Sequence, residues 1–136
     1  MTGKSSLVGI SLSSLQEAFS GSEDVLVQML ALFQVQAVER MAQLDGHLAA
    51  QDEMGARTAL HSLVNISGAV RAYGMSDLAK AVGDAVKSQD SSQALAFAAA
   101  LRRECDWVLL QVGSMLAAAA AAPQDIWTAV LPAAPK

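Results

Sequence analysis

The chain has 136 residues, which is enough for one domain with a hydrophobic core and too few for two ordinary domains. Hydrophobic residues make up 53% of it and aromatic residues only 4%, and this composition favours packed helices over strands. A net charge of −4 and the lack of a Lys/Arg stripe argue against nucleic-acid binding, because no surface would replace the phosphate counterions.

The first part of the chain predicts a short helix followed by a long one. Apolar residues at 12–19 share one helical face, and Ser20-Gly21 ends this first helix. Ser22 precedes two acidic residues and is typical of a helix N-cap at the positive end of the helix dipole. The second helix is predicted to continue to about Ala50. Its apolar face comprises Leu26, Met29, Leu30, Phe33, Ala37, Met41, Leu44 and Leu48.

Two further helices are predicted in the middle of the chain. Asp52 is placed to cap a third helix that runs through His61 toward Tyr73, and Gly74 is predicted to stop it. Ser76 is then predicted to cap a fourth helix. The apolar face of the fourth helix comprises Leu78, Ala79, Val82 and Val86.

A polar break at 88–92 precedes a fifth helix, which fades into the alanine run 117–122 and is predicted to end at Pro123. Short connections between long amphipathic helices favour antiparallel neighbours. The expected fold is therefore all-α, an antiparallel up-down four-helix bundle with a short additional N-terminal helix. The bundle is assigned to 8–122, and 123–136 form a C-terminal tail that either packs back or extends away.

The single cysteine and the absence of a targeting pattern limit the chemistry and the location. Cys105 cannot form an internal disulfide, and its apolar helical neighbours predict a buried thiol. No apolar run of signal-peptide length follows Lys4. The most apolar stretch, 108–122, is interrupted by polar residues and is shorter than a membrane span of roughly 20 residues. A cytoplasmic location without membrane contact is expected.

The third helix is predicted to hold His61 toward water. At about 100° per residue, Leu60, Leu63, Ser67 and Val70 form one narrow stripe, and His61 lies about 140° from its centre. A core histidine would not point in that direction. A lone surface histidine is usually only a solvated side chain, so the residues around it must decide its role.

The other polar candidates have simpler interpretations. His47 lies near the C-terminal end of the second helix, where an imidazolium suits the helix dipole. Glu39, Arg40 and Glu53 are interpreted as solvated side chains. Two histidines, one cysteine and no Ser/His/Asp constellation argue against a metal site or a nucleophile-triad enzyme.

The order of these features resembles the histidine-containing phosphotransfer (HPt) domains of bacterial multistep two-component signalling. The likeness covers about residues 8–115 and rests on the start of a long helix at 20–24, the break at Gln51-Asp52 and the run Ala-Leu-His-Ser-Leu at 59–63. The family pattern is approximately A-H-x-L-K-G-S, with a turn glycine about ten residues after the histidine. The resemblance implies that His61 is the phosphoacceptor.

The chain departs from the family pattern after the histidine. Val64 stands where the family has lysine, and Asn65 stands where it has glycine. The candidate turn glycine, Gly74, also comes later than expected. Alignment backward from Gly74 matches Ser67-Gly68 to the family's Lys-Gly and puts Val64 at the histidine position, which would describe a domain without its phosphoacceptor.

Two physical arguments favour the register on His61. Counting forward from Asp52 gives the family spacing to His61. Val64 lies about 80° from the centre of the apolar stripe, and a valine at the flank of a core face needs no special explanation.

The resemblance implies a phosphoryl carrier rather than a free-standing catalyst. A mostly neutral imidazole can attack a receiver phosphoaspartate without a base, and the receiver is expected to bring the Mg²⁺ and a lysine, so this chain needs no cofactor or metal of its own. Arg57, one turn before His61, could supply positive charge, and Arg71 is a poorer candidate. Asn65 could donate a hydrogen bond, and Gly68 could give a receiver room to approach. The expected partner-binding residues are therefore Arg57, Val64, Asn65 and Gly68.

Three function classes follow from these observations. The first is a cytoplasmic phosphorelay intermediate that carries a phosphoryl group between receiver aspartates through His61. The second is a phosphorylation-incompetent HPt-like adaptor that binds a receiver or a kinase. The third is an unrelated helical interaction module. The expected partners are a response-regulator receiver domain, a hybrid sensor kinase or both, and a monomer is expected.

Overall fold

The structure is a computed structural model that describes residues 7–135, so Lys4 and Lys136 lie outside the described residues. Helices are the only regular elements in this part of the chain, as the all-α prediction requires. They are α1 (Leu12–Phe19), α2 (Glu23–Ala49), α3 (Glu53–Ala69), α4 (Tyr73–Lys87), α5 (Ser91–Ala118) and a C-terminal 3-10 helix (Pro123–Thr128).

The helices pack together in chain order. Helix α2 packs along α3, α3 along α4 and α4 along α5, and α5 makes a smaller contact back to α2. The predicted apolar faces meet in one core. Their inward-pointing side chains are removed from water, and this burial stabilises the fold. The largest fully buried side chains include Leu15, Leu26, Leu30, Leu44, Leu63, Met75, Leu101 and Met115.

The α2–α3 and α4–α5 turns share one sequence pattern. Gln51 and Gln89 adopt left-handed φ angles of 57° and 60°, and each is followed by an aspartate. Asp52 and Asp90 cap α3 and α5, and each accepts a hydrogen bond of 3.0 Å from a backbone N–H three residues later. The predicted cap at Asp52 is therefore confirmed. The hydrogen bond from the Gly55 N–H also lowers the pKa of the Asp52 carboxyl group.

The turn between α3 and α4 differs from the prediction. Helix α3 ends at Ala69, and the left-handed residue is Arg71 with φ 62°, whose guanidinium Nη1 donates to the Ala69 carbonyl at 2.9 Å. Gly74 does not stop α3 but lies in the first turn of α4, where a Cβ atom would come within 2.7 Å of the Val8 Cβ. Ser76 is likewise inside α4 and does not cap it. Both predictions were wrong because the left-handed backbone at Arg71 makes this turn, which the Ala72 N–H closes by donating to the Ser67 carbonyl at 2.8 Å.

The start of α2 also differs in detail. Ser22 occupies the predicted N-cap position, but its side chain makes no capping hydrogen bond. The Glu23 carboxylate instead accepts from the Gly21 N–H at 3.0 Å and from the Trp127 Nε1–H at 2.9 Å. These donors lower the pKa of Glu23, and the indole is the larger cause.

The C-terminal tail packs back over part of its length. Helix α5 ends at Ala118, before Pro123, and Pro123 begins the 3-10 helix rather than ending α5. The 3-10 helix lies against α2 and α5, where Ile126 is fully buried.

Residues Val8–Ser11, here called the N-terminal strap, are anchored to buried polar groups of α5. Glu104 accepts hydrogen bonds from the backbone N–H groups of Val8 and Gly9, and Gln111 accepts one from Ile10 at 2.8 Å. Glu104 and Gln111 are only 1% and 6% exposed. The strap therefore satisfies polar groups that would otherwise be buried without partners.

Helix α2 is apolar on more than its buried side. Among the described residues, it is the one helix that is long and apolar enough to cross a membrane, judged by length and composition only. Only 28% of its most apolar 18-residue segment is buried. Apolar side chains are thus left on its outer surface.

Candidate functional site

Helix α3 separates its residues into a core side and a water side. Leu60, Leu63, Ser67 and Val70 are all buried, as the predicted stripe requires. His61 is exposed on the opposite side. Within residues 7–135, its ring makes no hydrogen bond, ion pair or ring contact. The imidazole is therefore open to an approaching molecule.

The predicted neighbours of His61 lie along the same water-facing side. Asn65 is exposed one turn after His61, and a Cβ atom added at Gly68 would meet no heavy atom within 4 Å. Arg57 lies one turn before His61, and its guanidinium contacts the Glu53 carboxylate at 3.5 Å. Both members of this pair are exposed, so the contact holds Arg57 only weakly.

Val64 has a structural role. It is half-buried at the flank of the core, as its helical phase predicts. Its carbonyl accepts hydrogen bonds from the Ser67 hydroxyl at 3.2 Å and the Ser76 hydroxyl at 3.4 Å. The bond from Ser76 joins α3 to α4 directly behind the site, whereas the bond from Ser67 lies within α3.

Arg40 contributes to this side of α3, although the sequence suggested only a solvated side chain. Its Nε donates to the Ser62 hydroxyl at 3.0 Å, across the contact between α2 and α3. Ser62 is the residue directly after His61. The bond depends on the register of two helices, so no local pattern in the sequence could have revealed it.

Lys80, like Arg40, is a cation near α3 whose position could not be predicted from the sequence. Helix α4 meets α3 where Ser76 bonds to Val64 and where Gly83 approaches Leu60, and Lys80 lies between these two contacts. It is exposed, and within the described chain its ammonium makes no hydrogen bond or ion pair. Its position on α4 brings a free cation alongside the segment of α3 that contains His61.

The other candidate groups are used elsewhere. The His47 ring contacts Asp52 at 3.1 Å at the far end of α3. Cys105 is buried, as predicted, and burial raises the pKa of its thiol to about 12. In the described residues no group of three His, Cys, Asp or Glu side chains is placed to hold a metal ion.

One surface cavity lies away from His61. It has a volume of about 390 Å³ and is formed where the α2–α3 turn meets the α4–α5 turn. Its lining includes His47, Asp52 and Asp90, and it includes none of the residues predicted for the site. The candidate site is therefore a convex helical surface rather than a pocket.

Comparison with known proteins adds no identification. No family model, curated protein or solved structure matches this chain. The functional argument therefore rests on the residues and geometry of α3 and its neighbours.

Proposed function

We propose that this chain is a histidine phosphotransfer intermediate, which accepts a phosphoryl group from the aspartate of one receiver domain and passes it to another through His61. The observation that carries the proposal is the exposed imidazole on the water side of α3, with open space at Gly68 along the same surface. The resemblance to HPt domains supplies the chemical role of that imidazole.

The reaction requires little from this chain beyond a positioned nucleophile. An unprotonated ring nitrogen of His61 attacks the phosphorus of the aspartyl phosphate, so that an N–P bond forms while the bond from phosphorus to the aspartate oxygen breaks. The aspartate leaves as a carboxylate, and the other ring nitrogen gives up its proton to solvent. The reverse sequence loads the next receiver. Mg²⁺ belongs to the receiver in this proposal.

In this proposal, three cations near the α3 segment that bears His61 assist the transfer. In the family pattern a lysine follows the histidine by three residues, whereas this chain has Val64 there. Arg57 on α3, Arg40 on α2 and Lys80 on α4 carry positive charge on or beside the same segment. Such charges favour the negative oxygens of the transferring group. We infer that the neighbouring helices replace the missing lysine, with Lys80 as the principal contributor because its ammonium is free within the described chain.

The position of Gly74 supports the register on His61. The competing register counted backward from Gly74 as a turn glycine, but Gly74 lies within α4 and the turn is made at Arg71. Packing of α2, α3, α4 and α5 in chain order also suits the up-down four-helix bundle that HPt domains use.

An adaptor that binds a receiver or kinase without accepting phosphate is a second candidate. It is favoured by Val64 and Asn65, which replace the family's lysine and glycine directly after the proposed phosphoacceptor. Asn65 is exposed and bulkier than glycine, so it would meet the loops of an approaching receiver. A helical interaction module without signalling chemistry is the third possibility. Bacterial cytoplasm is the proposed location for all three.

The test is transfer from a phosphorylated receiver. Incubation with such a receiver is expected to place an acid-labile, alkali-stable phosphate on the chain, and His61→Gln is expected to abolish it. His47→Gln is the matched control and is expected to be labelled normally, because His47 lies at the far end of α3. Lys80→Ala is expected to slow transfer, and Lys80→Arg to restore most of the rate.

Docking is measured separately from transfer. Gly68→Arg is expected to weaken receiver binding without unfolding the protein, because the space beside Gly68 is open. Gly113→Arg on α5, where the space is equally open, is the control and should bind normally. Tight receiver binding without labelling would assign the adaptor role. Failure of every receiver to bind or label would favour the third possibility.

A further inference from the structure

The outer surface of α2 carries an apolar seam that no part of the described chain covers. Val35 and Val38 are each 58% exposed, and Leu32 beside them is 57% exposed. Exposed branched aliphatic side chains grouped on one helix face are typical of an interaction surface. The α2 seam, as the term is used below, comprises Gln28, Ala31, Val35, Val38, Ala42 and Asp45, all of which are exposed.

The seam points away from α3. Arg40 reaches α3 through its bond to Ser62, and at about 100° per residue Val35 lies about 140° around α2 from Arg40. The opposite side of α2 is occupied by the core residues Leu30, Phe33 and Leu44. The seam is therefore a separate surface from the side of α3 that bears His61.

The spacing of the seam is that of a two-helix coiled coil. Successive seam residues are separated alternately by three and four positions, which is the a/d pattern of a heptad repeat. This pattern keeps a stripe facing one partner helix along its length. The core-facing side of α2 already packs in the bundle, so the seam predicts a second helical partner outside it.

The order of residue types along the seam is nearly the same in both directions. From the N-terminal end it is polar, alanine, valine, valine, alanine, polar, and the spacing is also symmetric. A second α2 helix that ran antiparallel would place Val35 opposite the second copy's Val38 and Ala31 opposite its Ala42. Gln28 would face the second copy's Asp45, which is ion-paired with Arg102 of its own chain. The amide N–H of Gln28 can donate to the same carboxylate.

We propose that two copies of this chain associate through an antiparallel α2–α2 contact along this seam. A two-fold axis makes such a contact self-complementary, which is the geometry of most homodimers. The alanines allow the two helices to approach closely, and the valines fill the centre of the contact. This inference is independent of the proposed phosphotransfer.

The charges along α2 favour this partner and orientation. Asp45 is the only charged member of the seam, and it is ion-paired with Arg102 of α5. Glu39 flanks the seam, and the seam itself contains no Lys or Arg to attract an anionic membrane. In a parallel pair, the Asp45 carboxylates of the two copies would face each other. The antiparallel arrangement separates them and places a Gln28 amide beside each ion pair of Asp45 with Arg102.

The size of the contact indicates a weak, reversible dimer. The seam from Gln28 to Asp45 is about 27 Å long at 1.5 Å per residue, and a helix is about 10 Å wide. Each copy would thus bury about 300 Å², which is less than half of the roughly 800 Å² per partner of a standard interface. We therefore expect a dissociation constant on the order of 10–100 μM, in place of the monomer expected from sequence.

Sedimentation equilibrium of the full chain from about 5 to 500 μM tests the association. The wild-type chain is expected to shift from monomer to dimer across this range, and Val35→Glu to weaken dimerisation at least tenfold, because it places a carboxylate against the apolar centre. Met54→Glu, at an 81% exposed position on α3, is the matched control and should dimerise normally. Circular dichroism checks that both variants fold.

Disulfide trapping tests the orientation. A mixture of Val35→Cys and Val38→Cys chains is expected to form the mixed disulfide in preference to either homodisulfide. The native Cys105 does not interfere because it is buried. Preferential Val35→Cys homodisulfides would overturn the antiparallel register.

Two further results would overturn the dimer itself. One is a wild-type chain that stays monomeric at 500 μM. The other is binding of the wild-type monomer, but not Val35→Glu, to phosphatidylcholine vesicles, which would assign the seam to lipid. Val35→Glu should still accept phosphate from a receiver if the relay proposal is right, so the two proposals can fail separately.

Discussion

Helices α5 and α3 use their polar side chains in opposite ways. Glu104 and Gln111 of α5 are buried, and both accept hydrogen bonds from the N-terminal strap. His61 and Asn65 of α3 are exposed and make no hydrogen bond within residues 7–135. A buried polar group must be paired to avoid a large desolvation cost, whereas an exposed one has water as an alternative. Glu104 and Gln111 therefore maintain the fold, whereas the side chains of His61 and Asn65 are left open to water.

Removal of the Glu104 carboxylate should have the largest effect on stability. Glu104→Ala leaves the Val8 and Gly9 N–H groups without their acceptor and opens a cavity, so we expect a loss of about 3 kcal/mol in the free energy of unfolding. Urea denaturation followed by circular dichroism measures it. Glu39→Ala, an exposed carboxylate on α2, should change stability by less than about 0.5 kcal/mol. Equal effects of the two variants would contradict the contrast between buried and exposed polar groups.

Gly74 and Gly68 offer a second test of the contrast between groups that contact the N-terminal strap and groups that face water. A Cβ atom at Gly74 would lie 2.7 Å from the Val8 Cβ and 3.0 Å from a Glu104 oxygen, so Gly74→Ala should displace the N-terminal strap and cost about 1–2 kcal/mol. Gly68→Ala meets open space and should stabilise α3 by about 0.5–1 kcal/mol, since alanine is the better helix former. Thermal unfolding of the two variants should therefore shift in opposite directions. Similar shifts would show that the strap does not constrain Gly74.

The two glycines also show which parts of the fold were predictable. The apolar stripe of α3 and the cap at Asp52 depend on residues within a few turns of each other, so the sequence pattern was sufficient. Gly74 was misinterpreted as a helix stop because its small size is required by Val8, which is distant in the sequence. The true turn residue, Arg71, is not of a type that marks a left-handed turn, and the turn is closed by the backbone bond from the Ala72 N–H to the Ser67 carbonyl.

The candidate site also has a part that the sequence predicted and a part that it did not. The exposure of His61 followed from helical phase alone, because Leu60 and Leu63 fix the opposite side of α3. Arg40 and Lys80 belong to other helices, and their positions depend on how those helices pack on α3. The way in which one helix packs on another leaves no local pattern in the sequence. The electrostatic surroundings of the imidazole therefore required the structure.

The Glu23 carboxylate gives a smaller, pH-dependent effect because it is more accessible than Glu104. Trp127 and Gly21 lower the pKa of Glu23 in the folded chain. A lowered folded pKa means that the stabilisation is present above the ordinary glutamate pKa and is lost as pH falls through the lower, folded value. We expect the indole N–H resonance of Trp127 to move as the pH falls below the ordinary glutamate pKa. In Glu23→Gln, which cannot titrate, this resonance should stay unchanged through the same range.

Substitution of His61 should have the smallest effect on stability and the largest on transfer. Its ring makes no hydrogen bond or ion pair in residues 7–135, so His61→Gln should change the free energy of unfolding by less than about 0.5 kcal/mol. The same variant should lose all phosphate labelling. Glu104→Ala should show the opposite result at temperatures where it remains folded, with lower stability and normal labelling. A destabilised His61→Gln chain would mean that the imidazole contributes to the fold, and it would no longer be a group left free for a receiver.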